Sequence, residues 1–437
     1  MINFIRRHIQ KIYLFLALSY TILIPIILMI NNKFLFFKDE FMLFPNLIFA
    51  ITILTIITFI IDVIINKINI FKFIKNNKSC IFLILSFTFL FISCLNSTKV
   101  KVSFLGIPYR MGGLISYFSY FFLAILGYKL KDKNKKIFFR SLIYVATIIS
   151  ILSILNTELT SQILPYGYSG IFFNTNHFAT YLVYAVVVCI FTFYNDKNIV
   201  LNIIDYISFV IMMAMIILNN TFGCYLAVLF FLVINIFFAK NNKLIFKYLI
   251  IILAVIVLSL TIRVNGKWEL KDNFEDLLIE LNLIQGYVDN YQDFSEEEND
   301  IYINAFIIYM GSYRGELWYH TMDLIRQKPL LGYGLESLDV EYQKYNMHQG
   351  NDMPHNLILH LWACGGLFTL LFYLTTNIWI LIQHRKSFYI NNSHTLIYFM
   401  ILTHLFQSML NNTLFYVTSL YAILFGMIYN KKQIEDN

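Results

Sequence analysis

Residues 244–262 read LIFKYLIIILAVIVLSLTI, a run in which Lys247 is the single charged side chain. A bilayer core needs about 20 mainly apolar residues per helix, so this run is long enough to span a membrane. Comparable apolar runs predict further spans at residues 12–30, 41–66, 79–96, 112–130, 137–155, 170–194, 199–218, 221–239, 355–382, 393–410 and 412–430. The sequence therefore predicts an all-α polytopic membrane protein of about twelve transmembrane helices.

The composition supports this class. Hydrophobic residues make up 58% of the chain and charged residues 14%, whereas soluble domains carry about 25% charged residues. The net charge of +7 could suggest nucleic-acid binding, but in a membrane chain it indicates topology instead. The five cysteines are scattered through apolar runs, which favours buried thiols over disulfides or a zinc site. We expect no nucleic acid as a partner.

Basic residues set the orientation, because positively charged loops remain cytoplasmic. With the N-terminus inside, the inner segments hold 21 of the 33 Lys and Arg residues. This predicts an N-in, C-in topology with nine helices in residues 1–262 and three helices plus a short cytoplasmic tail in residues 355–437. Between them, residues 263–354 form one long extracytoplasmic loop. It carries 17 of the 26 acidic residues, and helical spacing predicts amphipathic helices at 272–290 and 313–328.

Polar residues near the predicted span ends collect at the outer face of the membrane. They are Arg110, Asn174, Asn176, His177, Arg314, His355 and Asn356. Such a layout suits a substrate with a lipid tail and a polar head group. Arg110 and Arg314 could bind a diphosphate, because a guanidinium binds phosphate oxygens in a bidentate manner. Alternatively, Arg110 is an interfacial anchor and Arg314 pairs with an acidic neighbour in the loop.

His355 has a setting that suggests a general base. Asp352 could cap a helix whose first turn contains Pro354, and this would place His355 at the positive end of the helix dipole. The ring would then stay neutral and able to accept a proton from a hydroxyl. The alternative is an interfacial anchor. The histidines lack zinc-site spacing and no phosphate-binding loop is present, so we expect no metal, nucleotide or cofactor.

Four motifs follow one another around the long loop. They are RMGGL at 110–114, FFNTNHFA at 172–179, SYRGELW at 312–318 with PLLGYG at 329–334, and His355-Asn356 followed by Gly366. This set resembles the bacterial O-antigen ligase and polysaccharide polymerase family of polytopic membrane proteins. Three positions depart from that pattern, and one of them is Thr369, which stands where a second glycine is common. Phe222 stands where many members have arginine, and Cys364 stands where many have glutamate.

The resemblance implies transfer of a glycan from undecaprenyl diphosphate to an acceptor hydroxyl at the outer face of the cytoplasmic membrane. It implies that Arg314 engages the diphosphate and that His355 assists the acceptor. Because Phe222 replaces an arginine, Arg110 is the candidate for a second diphosphate ligand. Asn174, Asn176, His177 and Asn356 are further candidates for substrate binding.

Three functions stay open at this point. The leading hypothesis is a glycosyltransferase-type polymerase or ligase, whose acceptor is another glycan, a lipid, a wall polymer or a protein. A twelve-helix transporter or a flippase of lipid-linked glycans is the alternative, although the outer clustering of polar residues disfavours it. A structural protein of the envelope would leave Arg314 and His355 freely replaceable.

Overall fold

The computed structural model describes residues 2–34, 40–108, 110–163, 167–172, 174–195, 198–238, 242–262, 314–345, 352–385, 393–411 and 415–429. These residues are nearly all helical. One two-stranded antiparallel ribbon pairs β1 (Ser161–Ile163) with β2 (Gly167–Gly170), just before the sixth predicted span. The predicted helix at 272–290 lies outside the described residues.

The described residues form seventeen α-helices, most of which follow the predicted apolar runs. They are α1 (Ile2–Leu18), α2 (Ile24–Phe34), α3 (Glu40–Asn66), α4 (Ile70–Asn76), α5 (Lys78–Leu95), α6 (Val100–Leu105), α7 (Leu114–Lys129), α8 (Asp132–Ile154), α9 (Thr175–Asn195), α10 (Ile199–Leu218), α11 (Phe222–Phe237), α12 (Asn242–Thr261), α13 (Gly315–Gln327), α14 (Leu338–Gln343), α15 (Leu357–Gln383), α16 (Ser393–Leu410) and α17 (Phe415–Gly426). A π-helical turn joins α1 to α2, and a 3-10 turn (Met427–Tyr429) follows α17.

In the described part of the chain, seven helices are long and apolar enough to cross a membrane, and five shorter apolar helices accompany them. Each lies at one of the predicted spans, so the polytopic membrane class is confirmed. The number twelve and the orientation of the spans stay predictions. In the loop, α13 begins and ends within the predicted helix at 313–328 and stops before Pro329.

The helix α9 forms the centre of the bundle. All residues from Leu182 to Cys189 have no exposed surface, whereas α3 has exposed isoleucines such as Ile53 and Ile64. Lipid tails are as apolar as a protein interior, so a lipid-facing helix and a buried helix can have the same composition. The central position of α9 therefore could not be predicted from composition. The helices α8, α10, α11 and α16 pack around α9.

Buried ion pairs join helices near the predicted inner face. Lys129 of α7 lies 2.8 Å from the carboxylate of Asp62 in α3, and the Tyr13 hydroxyl of α1 donates to the same carboxylate at 3.1 Å. Arg140 of α8 pairs with the buried Asp205 of α10. A charge inside a membrane is costly unless it is paired, so these contacts fix the relative positions of five helices.

The helix α15 is broken at Gly366, where the sequence predicted a continuous span. Gly366 has φ +78° and its neighbour Leu367 donates its N–H to the carbonyl of Pro329 at 2.8 Å. On the other side of the break, the N–H groups of Tyr333 and Gly334 donate to the carbonyls of Ala363 and Cys364. The PLLGYG segment therefore supplies the hydrogen bonds that the broken helix loses, as membrane depth requires.

Candidate active site

The helix α15 begins at Leu357, and Asn356 is its N-cap. The Asn356 side-chain oxygen accepts hydrogen bonds from the N–H groups of Ile358 and Leu359, at 3.0 and 3.2 Å. The expectation that Asp352 caps this helix and that Pro354 lies in its first turn is therefore wrong. The cause is local, because His355 has φ +50° and Asn356 is extended, so the helix cannot start before Leu357.

Asp352 instead pairs with Arg110, which precedes α7. The Arg110 guanidinium contacts the Asp352 carboxylate, and its other terminal nitrogen lies 3.9 Å from the carboxylate of Glu336. Arg110 and Glu336 are each 5% exposed, so this cluster is shielded from water. Burial raises the pKa of Glu336, while the charge of Arg110 lowers it. Neither carboxylate partner could be predicted from the sequence, because both lie more than 200 residues from Arg110.

Burial and the nearby charged groups determine the protonation state of His355. Burial and the charges of Arg314, Arg110 and His360 together lower its pKa to about 4, although a hydrogen bond with the Asn411 side chain opposes this shift. Its Nδ1 atom is buried and has no hydrogen-bond partner among the described residues. The imidazole is thus neutral at neutral pH, as the sequence analysis expected. The cause is burial beside two arginines rather than a position at the helix end.

Arg314 is the N-cap residue of α13, and its guanidinium donates to the carbonyl of Leu410 at the end of α16. Burial lowers its pKa, but a guanidinium stays charged at every physiological pH. Among the residues that the structure describes, Arg314 has no carboxylate partner. No described carboxylate therefore compensates its charge, and the alternative of a salt bridge to an acidic residue of 263–313 lies outside the described residues.

The C-terminal end of α16 connects these groups. The carbonyl of Met409 accepts a hydrogen bond from the Asn356 amide at 3.2 Å, the carbonyl of Leu410 accepts from Arg314, and Asn411 bonds to His355. The sequence analysis did not include Asn411 among the candidate site residues. Its position directly after an apolar run was the available signal.

The start of α9 lies beside this cluster. The Asn174 side chain accepts from the N–H groups of Asn176 and His177, at 2.9 and 3.3 Å, so its oxygen caps the helix. His177 is within electrostatic range of His355, and its Nδ1 is buried without a hydrogen-bond partner among the described residues. The structure thus brings His177 to the site, whereas Asn174 shapes the helix end.

An apolar cavity of about 320 Å³ runs through the bundle from this cluster. Gly112, His360 and Asn411 line its end beside this cluster, and Tyr373 and Asn377 line it further along α15. Between the two ends the walls are mostly aromatic and aliphatic side chains of α5, α7, α15 and α17. They include Leu83, Phe87, Phe118, Phe121, Leu361 and Phe425. The cavity can hold an apolar chain, and Asn411 in its wall bonds to His355.

Residues 207–374 match the family model described as O-antigen ligase. The match includes Arg314, His355 and Asn356, and it excludes Arg110 and the start of α9. No curated protein matches the chain. The family resemblance that the sequence motifs indicated is thereby confirmed.

Proposed function

We propose that this protein is a membrane glycan ligase or polymerase, because residues 207–374 match the O-antigen ligase family model. The donor is a glycan linked to undecaprenyl diphosphate, and the acceptor is a hydroxyl group. Transfer takes place at the extracytoplasmic face of the cytoplasmic membrane, in the synthesis of a surface polysaccharide. No cofactor is required, because the carrier diphosphate already activates the sugar.

One observation carries the proposal. Arg314, which has no carboxylate partner among the described residues, and the neutral His355 are held by adjacent residues at the end of α16. A cation without a compensating charge is suited to an incoming anion, and a neutral imidazole is suited to accept a proton. Asn411, which bonds to His355, also lines the apolar cavity, and this arrangement suits a substrate with a lipid tail and a charged head.

In the proposed reaction, the acceptor oxygen attacks the anomeric carbon of the donor sugar. The bond between this carbon and the phosphate oxygen breaks, and its electron pair leaves with the diphosphate. Arg314 stabilises the negative charge that develops on the leaving group. The acceptor proton moves to Nδ1 of His355 and later passes to solvent. Asn356 and Asn411 hold His355, while Asn176 and His177 lie where the bound glycan enters.

The cavity supports the lipid part of the donor. Prenyl chains are apolar, and burying apolar surface stabilises a complex by about 25 cal/mol per Å². The aromatic walls of α5, α7 and α17 offer such a surface inside the membrane. The diphosphate would then lie beyond Gly112 and Asn411, where Arg314 and His355 are found.

The test is genetic complementation in a deletion strain, with the surface glycan profile as the readout. Arg314→Ala and His355→Ala should each abolish glycan extension or attachment while the protein remains in the membrane. Arg326→Ala is the matched control, because Arg326 lies on the same helix α13 with 71% of its side chain exposed. Single-repeat products in the deletion strain indicate a polymerase, and long glycans that stay on the carrier indicate a ligase. Normal glycans from both site variants would overturn the proposal, and glycan precursors trapped on the inner leaflet would indicate a flippase.

A further inference from the structure

We propose that Arg110 is a positioning residue that fixes the segment carrying His355 through Asp352, and that it does not bind the diphosphate. This inference rests on the proposed function and assigns a different role to the arginine than the sequence suggested. It is carried by the contacts of Arg110, by the backbone of residues 352–356 and by the distribution of charge.

The backbone around His355 is held at alternate residues. Asp352 pairs with Arg110, the carbonyl of Pro354 accepts from the indole of Trp318 at 2.7 Å, and Asn356 caps α15 and bonds to Met409. His355 itself has φ +50°, a conformation that costs free energy for a residue with a side chain. Such a conformation persists only where its surroundings determine it, and Arg110 supplies the first of the three contacts.

Arg110 and Arg314 differ in the charged groups that surround them. Arg110 faces the carboxylates of Asp352 and Glu336, both within ion-pair distance. A diphosphate bound at Arg110 would have to approach these two negative groups or displace them. Arg314 has no carboxylate partner within the described ranges, so an anion can bind there without displacing one. The diphosphate therefore belongs at Arg314.

The position of Glu336 is built into the fold. A Cβ atom at Gly112 would lie 1.8 Å from the Glu336 side-chain oxygen, so a side chain at position 112 would force this carboxylate to move. Glu336 has φ +55°, the left-handed conformation that is uncommon for residues other than glycine. Arg110 is thus held from two sides, by Glu336 of the outer loop and by Asp352 beside His355.

The experiment measures transfer from a lipid-diphosphate-linked glycan by purified full-length protein, with kcat and donor KM for Arg110→Gln, Asp352→Asn and the double variant. We expect each single variant to lower kcat by at least about tenfold, because a displaced catalytic group loses its alignment. Donor KM should change by less than about twofold, and the double variant should lose no more than the worse single one, since both break the same contact. Lys101→Gln, a change at an exposed residue near Arg110, is the control and should leave both constants unchanged.

The pH profile gives a readout that a merely structural role would not move. Arg110→Gln removes a positive charge that disfavours protonation of His355, so the acid limb of the rate profile should shift to higher pH. Arg110→Lys keeps the charge and should keep the wild-type acid limb, which also covers the case in which Arg110→Gln fails to fold. A donor KM raised tenfold or more with kcat preserved, in the arginine variants but not in Asp352→Asn, would overturn the inference. An inactive wild type would instead overturn the proposed function.

Discussion

The indole nitrogen of Trp318 donates a hydrogen bond to the carbonyl oxygen of Pro354 at 2.7 Å. Trp318 lies one turn after Arg314, and the backbone N–H of Trp318 donates to the Arg314 carbonyl at 2.9 Å. Pro354 directly precedes His355. This single side-chain bond, between residues 36 positions apart, therefore links the segment that carries Arg314 to the segment that carries His355.

The first prediction tests this bond. Trp318→Phe keeps an aromatic ring but removes the N–H donor, so the His355 segment loses one of its three contacts. We expect the transfer rate to fall by about tenfold, because alignment of the catalytic groups is lost. The matched control is Trp362→Phe. The indole of Trp362 donates to the carbonyl of Pro329 at 3.1 Å and not to the segment that carries His355. Equal rates for the two variants would show that the Trp318 bond does not position the site.

The second prediction concerns pH. A general base must be neutral, and the pKa of His355 is lowered to about 4 by burial and by Arg314 and Arg110. The transfer rate should therefore be level between pH 7 and about pH 5 and fall only as the pH approaches 4. A histidine with the usual pKa of about 6.5 would already be half protonated at about pH 6.5. A pH–rate profile of the purified protein distinguishes the two, and an acid limb centred near 6.5 would argue against His355 as the base.

The third prediction tests the break in α15. Gly366 has φ +78°, and a Cβ atom there would lie 2.0 Å from the carbonyl oxygen of Leu330. Gly366→Ala should thus destabilise the protein by several kcal/mol or prevent insertion, since backbone strain and a clash with backbone add together. Gly223→Ala is the control, because its Cβ would meet a side-chain carbon at 3.3 Å. Thermal unfolding in detergent is the measurement, and similar melting temperatures for the two variants would contradict the described geometry.

The fourth prediction tests the cavity. Ala422 lines it and is 6% exposed, so Ala422→Phe fills part of the space proposed for the lipid tail. We expect donor KM to rise by about tenfold with a smaller change in kcat. The lipid tail would be bound equally less well in the ground state and in the transition state. Ala50→Phe, on the exposed face of α3, adds the same ring outside the cavity. An unchanged donor KM for Ala422→Phe would place the lipid tail elsewhere.

The sequence predicted the features that depend on local composition. The apolar run at 355–382 marked α15, and Pro329 marked the end of α13. The break at Gly366 was not predicted, because the PLLGYG segment that supports it lies outside the run itself. In the same way, apolar periodicity cannot show that φ +50° at His355 shifts the helix start to Leu357.

The candidate site was predicted in part for a similar reason. Arg314 and His355 stood out as polar residues at the outer face, and the structure brings both to the end of α16. The partners of Arg110 and the contact between Asn411 and His355 depend on tertiary packing between distant segments. A residue type and its position predict that a charge is present, but only the fold shows whether carboxylates already surround it.

The most direct measurement follows the lipid product when purified protein is given a glycan linked to undecaprenyl diphosphate and an acceptor glycan. The account predicts release of the lipid carrying both phosphates, in an amount equal to the glycosidic bonds formed. This release should occur with the wild type and with Arg326→Ala, and not with Arg314→Ala or His355→Ala. Donor that stays intact and only changes leaflet, or a lipid released with one phosphate, would contradict it.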